Sequence, residues 1–273
     1  MRDCPRRTFL KTMALGGAAL KLGPFAWDAL AATSGPALSI ARYRTSPKEP
    51  DGISEESLHA SEPDVVSTII ALCYQAGAKR VIVSDNSCNP AVTSFARSGI
   101  QEAAQRAGAD CFVMDDRKFK STKLNGKVLQ AWDVYADVLG VNKFINIPIA
   151  KHHGLCKATL GIKNLMGVVG GQRNRFHQDL GNTLVDLAMF FHPNLVVLDG
   201  VRVLTANGPT GGNLADVQRR DTVVAGVDQV AVDSFGATLL GMRPQDINYI
   251  VEASNRKLGT MDFESLKPHR AEL

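Results

Sequence analysis

Cysteine is scarce in this chain and never clustered. There are five in 273 residues, and Cys73, Cys88, Cys111 and Cys156 are spread too widely for a ferredoxin or zinc-ribbon pattern. That spacing excludes a built-in ferredoxin-type cluster. Long apolar runs are also missing. The mild apolar stretch Thr12 to Leu20 falls far short of the ~20 residues a spanning helix needs, so no stable membrane span is expected. Neither sign of charge is in large surplus. Segment 1–31 carries five basic and two acidic residues, so a chain of net charge +4 keeps only about +1 beyond it. A balance that even leaves no basic face for nucleic acid. The glycine-rich run Asn207-Gly208-Pro209-Thr210-Gly211-Gly212 lacks the lysine and the spacing of a phosphate-binding P-loop. No internal repeat is present.

What the sequence does contain begins with an export-like start. Arg6-Arg7-Thr8-Phe9-Leu10-Lys11 precedes the short apolar stretch and then Ala29-Leu30-Ala31. A charged region, an apolar region and a small-residue cleavage site read as a removable signal. Paired arginines before Phe-Leu-Lys resemble the twin-arginine signal, so residues 1–31 are read as that signal and its export machinery as a partner. A periplasmic or otherwise exported location follows.

Beyond it, residues 32–61 form a polar segment in which Ala37 to Tyr43 reads as an edge strand. Apolar positions Val65, Val66, Ile69, Ile70, Leu72 and Cys73 have helical spacing, with Pro63 in the first turn and Gly77 at the C-terminal cap. Short β-branched runs then alternate with helix-length segments: strands at 80–84, 111–114, 141–148, 194–198 and 222–225, helices at 90–107, 180–191, 229–240 and 244–256. Residues 116–137 interrupt this rhythm as a hairpin-like excursion. Runs of this kind read as buried strands. The fold class expected is α/β: a three-layer, mostly parallel sheet with helices on both faces, over residues 62–258, with 259–273 as a C-terminal tail. Ligands of such sheets sit beyond the carboxyl ends of the strands. Five runs end in polar residues, at Asp85, Asp115, Lys151 to His153, Asp199 and Asp228, and so predict one polar rim. Cys88 and Cys111 would stand roughly 15 Å apart on neighbouring strands, too far for a disulfide. Free, mostly buried thiols are expected, with Cys73 in the core.

The densest stretch for chemistry is 146–177, with Asn146, Lys151, His152, His153, Cys156, Lys157, Lys163, Asn164, Arg173, Arg175 and His177. Two readings stand side by side for most of these. Lys151, His153, Lys163 and His177 are the candidate catalytic groups, but a loop histidine can equally cap backbone. Lys163 is the most telling, because lysine is rarely buried without a partner. Asn146, Asn164, Arg175, Asn207 and Gly208 are candidate ligand-binding residues. His153, His177, Asp199 and Asp228 are candidate ligands for a divalent metal, iron, manganese or zinc; the alternative for the two aspartates is helix or turn capping.

Asn146-Ile147-Pro148, Lys151-His152-His153, Thr159 to Gly167 and Arg175-Phe176-His177, followed by Asp199-Gly200, Gly208-Pro209 and Asp228 to Asp233, resemble the signature of the family called domain of unknown function 362. The resemblance covers roughly residues 62–258. It implies an iron–sulfur association, because many members carry an appended ferredoxin-type module, which is not seen here. The family's Lys-x-His falls on Lys151 and His153. Its early Lys-Pro-Asn strand is not visible. Two functions follow as expectations: an exported metal- or redox-type enzyme, with a redox partner, or a non-catalytic binding protein for a small anionic ligand.

Overall fold

The computed structural model describes residues 38–42, 60–209 and 213–272. The segment 1–31, most of 32–61 and Thr210 to Gly212 lie outside the described residues. In chain order the strands are β1 (Leu38–Arg42), β2 (Ile82–Val83), β3 (Asp110–Cys111), β4 (Phe119–Lys123), β5 (Ala131–Tyr135), β6 (Ile145–Asn146), β7 (Ile149–His153), β8 (Lys157–Thr159), β9 (Leu195–Leu204), β10 (Val217–Gly226) and β11 (His269–Glu272). The α-helices are α1 (Pro63–Gln75), α2 (Ala91–Arg97), α3 (Ile100–Arg106), α4 (Ala136–Leu139), α5 (Gly161–Asn164), α6 (Leu180–Phe191), α7 (Gln229–Leu239) and α8 (Asn248–Asn255).

The α/β class holds. The main sheet runs β11-β1-β10-β9-β7-β8, with β6 also paired to β9. Its two faces follow from strand alternation. Val197, Val223 and Ala225 turn to one side and pack with Val65, Ile69 and Cys73 of α1. Val196, Leu198 and Val224 turn to the other and join the large core with α6, α7 and α8. Each such fully buried aliphatic side chain is worth about 1.5–3 kcal/mol. The three layers are therefore α1, the sheet, and the trio of later helices.

Several details differ from the sequence expectation. β1 is not an edge strand, because β11, from the stretch read as a tail, pairs in parallel along its outer side. The runs at 80–84 and 111–114 yield only β2 and β3, which pair with each other in a separate two-stranded sheet. The helix expected over 90–107 is two helices, broken where Gly99 adopts φ +75°, a backbone state that glycine enters freely. Asp199 does not end a strand: β9 continues through it to Leu204. Lys151 to His153 lie inside β7 and not beyond a strand end. Finally, β10 is antiparallel to β9, so the chain leaves β10 beside Val196 while β9 ends beside Val217. The five expected exits therefore do not form one rim. The excursion at 116–137 does contain a hairpin, β4 with β5.

Candidate functional site

The site is built on the β7–β8 hairpin. Lys151 and His153 are two residues apart on β7 and so share a face, and Thr159 of β8 stands opposite Lys151 in the register. His152 points the other way, where its Nδ1 accepts the Gly208 N–H at 3.2 Å. The chain then turns into the single helical turn α5. Its first two N–H groups, Gly161 and Ile162, donate to the Asp233 carboxylate of α7 at 2.7 and 2.9 Å. Asn146 fixes the same turn, donating from Nδ2 to the Gly161 carbonyl and accepting from Asn164 Nδ2, both at 2.8 Å. Lys163, on this clamped turn, reaches the same cavity as Lys151, His153 and Thr159.

A second segment closes over the hairpin. Asp85 to Asn89, following β2, is latched to the stretch after α5. Asn86 N–H donates to the Gly167 carbonyl at 2.7 Å and its side chain to Val169 at 2.9 Å. Arg173 Nη1 donates to the carbonyls of Asn86 and Met166 at 2.6 and 3.1 Å, and Nη2 to Ser87 at 3.3 Å. Asp85 lies so close over Gly167 that a Cβ there would run into its carboxylate, so a side chain at 167 would have to push Asp85 aside. A cavity of about 1220 Å³ opens here, lined by Asp85, Cys88, Lys151, His153, Thr159, Lys163 and Arg173, and extends well beyond the two segments to the end of α1 and residues 137–147.

Its electrostatics are unusual for a pocket wall. Lys163 is 8% exposed, and its Nζ meets only the Met166 thioether, at 3.3 Å; no carboxylate pairs with it among the described residues. Burial lowers the pKa of both Lys163 and Lys151. The Thr159 hydroxyl is buried with no hydrogen-bond partner among the described residues. Asp85 is pushed up to about 6 by burial, with Arg173 and Lys151 pulling it back. His153 is pushed down to about 4 by burial and then by Lys163, and stays neutral. Its Nδ1 accepts the backbone N–H of Leu155 at 3.1 Å and of Cys156 at 3.4 Å, which leaves the ring proton on Nε2. Asp233 is raised to about 7 by burial, against the two N–H groups it accepts.

Of the expected catalytic set, the structure brings Lys151, His153 and Lys163 together. His177 is exposed, does not line the cavity, and has Nδ1 2.9 Å from the Asn174 carbonyl. Asn146 and Asn164 border the cavity. Arg175 is elsewhere, its guanidinium 5.9 Å from the Trp132 ring. Asn207 donates to Asp216 at 3.1 Å, and Gly208 spends its N–H on His152. The four expected metal ligands do not converge. Asp199 is fully buried mid-strand and accepts the N–H of Glu62 and of Val201. Asp228 caps α7 by accepting Ala231 N–H at 2.9 Å and also takes Thr260 N–H at 3.0 Å. A metal needs an imidazole lone pair, and His153 has given its own to backbone. Among the described residues no group of three or more His, Cys, Asp or Glu side chains stands ready for a metal ion. The residues present do not fit the metal expected from the sequence. The cysteines are free, as expected, but Cys88 is exposed.

Sequence reasoning gave no catalytic, ligand-binding or metal role to Asp85, Thr159 or Arg173, although Arg173 lay in the densest stretch for chemistry and Asp85 in the expected rim. Only the position of Asp85 after an apolar run hinted at it, and that signal was shared with every turn aspartate.

Over residues 52–238 the chain matches the model of a family described as Domain of unknown function (DUF362). It is also similar to a thylakoid-associated protein of Synechocystis sp., at 27% identity over 233 residues, covering 78% of this chain and 64% of that relative. The chain thus spans less than two thirds of the relative's length. No solved structure matches it. Among the described residues no helix is long and apolar enough to cross a membrane.

Proposed function

Given that the chain belongs to the DUF362 family, whose description assigns no activity, we propose that its cavity captures a small anionic ligand through Lys151, Lys163 and Arg173. The observation that carries this reading is Lys163: a deeply buried ammonium, without a carboxylate among the described residues, on the wall of a large cavity. Holding such a charge away from water costs stability unless a counter-charge arrives. The Thr159 hydroxyl, on the wall of the same cavity and without a hydrogen-bond partner among the described residues, adds a neutral donor for the same ligand. Asp85 supplies a group that changes protonation near pH 6, suited to exchanging a proton with a bound acid.

The test is calorimetric binding of sulfate and oxalate, both fully ionised between pH 5.5 and 8 as a matter of ordinary acid chemistry. Asp85 is neutral below its pKa of about 6 and becomes a competing negative charge above it. Affinity is therefore expected to fall as pH rises through that value, and Asp85→Asn is expected to flatten the fall. No binding of either anion at any pH would end the reading.

The same reading includes export. Arg6-Arg7 before Phe9-Leu10-Lys11 supports a twin-arginine route, which carries folded proteins. In an exporting host the full chain should be recovered outside the cytoplasm with its new N-terminus after Ala31. Changing Arg6 and Arg7 to lysine should retain it inside. Uncut, cytoplasmic protein with the arginine pair intact would remove this part of the proposal.

A further inference from the structure

Of the four free cysteines described, Cys73 is buried and Cys111 and Cys156 are half-buried. Burial pushes Cys73 and Cys156 up to about 11 and also raises Cys111, so these thiols keep their protons. Cys88 differs: it is exposed, on the cavity-lining loop after β2. It does not sit on a loose tip. Its neighbour Ser87 is held at the carbonyl by Arg173 and donates its hydroxyl to the Asn89 carbonyl at 2.6 Å. The sulfur lies within electrostatic reach of both Lys151 and Lys163, and a thiolate there favours the charged form of each. A nucleophile and two lysines therefore share one cavity, with the Thr159 hydroxyl, which has no partner among the described residues, on its wall.

We propose that Cys88 is a reactive thiol which the cavity directs at small disulfides bearing a carboxylate, and with which it forms a mixed disulfide. The proposal rests on the anion-binding reading of the same cavity. The carboxylate of the incoming molecule docks on Lys163 and Lys151, where charge-assisted hydrogen bonds hold it. The Cys88 thiolate then attacks the nearer sulfur. A Cys88 Sγ–S bond forms as the S–S bond of the reagent breaks. The departing half leaves as a thiolate and is protonated by water, so the Cys88 sulfur is oxidised and the departing sulfur reduced.

The experiment treats the reduced full chain with dithiodipropionate and, separately, with the uncharged bis(2-hydroxyethyl) disulfide. Modification at Cys88 is followed by peptide mass mapping. Each rate is divided by the rate on the urea-unfolded chain, which removes the intrinsic difference between reagents. The carboxylate reagent is expected to gain about tenfold over the neutral one. Sulfate should abolish that gain, Lys163→Met should bring it close to unity, and Cys73, Cys111 and Cys156 should stay unmodified. Equal normalised rates for the two reagents overturn the proposal. If sulfate and oxalate still bind by calorimetry in that case, the thiol role fails and the anion pocket stands. If they do not bind, the pocket fails with it.

Discussion

Asp186→Ala is expected to destabilise the protein by about 3–5 kcal/mol, the usual consequence of stranding a buried charge. Asp186 is 1% exposed. It accepts three consecutive backbone N–H groups, from Lys127, Val128 and Leu129, at 2.9, 2.7 and 2.8 Å. It also takes Arg256 Nη2 at 2.7 Å. Alanine would leave three donors and a guanidinium without their acceptor, and Nη1 of that guanidinium is already buried without a partner among the described residues. Asp186→Asn keeps one acceptor oxygen and should fall between the two. Burial acts to raise the Asp186 pKa, but the N–H groups and Arg256 outweigh it and hold the carboxyl below its usual value. The sign follows: a depressed carboxylate contributes stability that is present above its unfolded pKa, near 4, and lost as pH falls through the lower folded value. Urea unfolding at pH 7 measures the main effect. A loss under about 1 kcal/mol would show that this network is solvated and not structural.

Lys163→Met is expected to act in two directions at once. Sulfate and oxalate affinity should drop about 10- to 100-fold, the value of a hydrogen bond to a charged partner. Stability at neutral pH should hold or rise. Burial lowers the Lys163 pKa, so the unfolded chain binds more protons than the folded one between the folded pKa and about 10.4. Stability then climbs with pH across that window, and at pH 7 the charged lysine is a cost. Methionine removes the cost and fits beside the Met166 thioether. A variant that binds anions as before, or that loses stability at pH 7, would contradict the assignment of Lys163 as the buried anion-binding cation. Calorimetry and thermal unfolding on the same preparation separate the two effects.

Much of the fold was legible because burial leaves a periodic trace. The spacing from Val65 to Cys73 with Pro63 in the first turn specified α1 to within a residue, and the runs at 194–198 and 222–225 located β9 and β10. Direction is a different matter. Hydrophobic periodicity is the same for a strand read either way, so nothing local distinguished an antiparallel β10 from a parallel one. Strand length was also hidden: β9 runs on through Asp199 because that carboxylate caps its own surroundings, the N–H of Glu62 and of Val201. An aspartate after an apolar run serves a site and a backbone cap equally well, and here the caps prevailed at 199 and 228. Lys163 was legible for the opposite reason, since a lysine within an apolar turn has few innocent explanations. The pairing of the Asp85 loop with Arg173 was not, because the hydrogen bonds from Arg173 to Asn86 and Ser87 join residues 86 apart or more, and pairing at that range leaves no mark in a local window.

The placing of β1 has a consequence for the order in which the sheet is assembled. β1 has β10 on one flank and β11 on the other, and both emerge from the ribosome long after it. Until then β1 has no partner strand on either flank. The scaffold around the β7–β8 hairpin is thus joined to β1 only after β10 has been made, and topologies that wait on such distant pairings fold slowly.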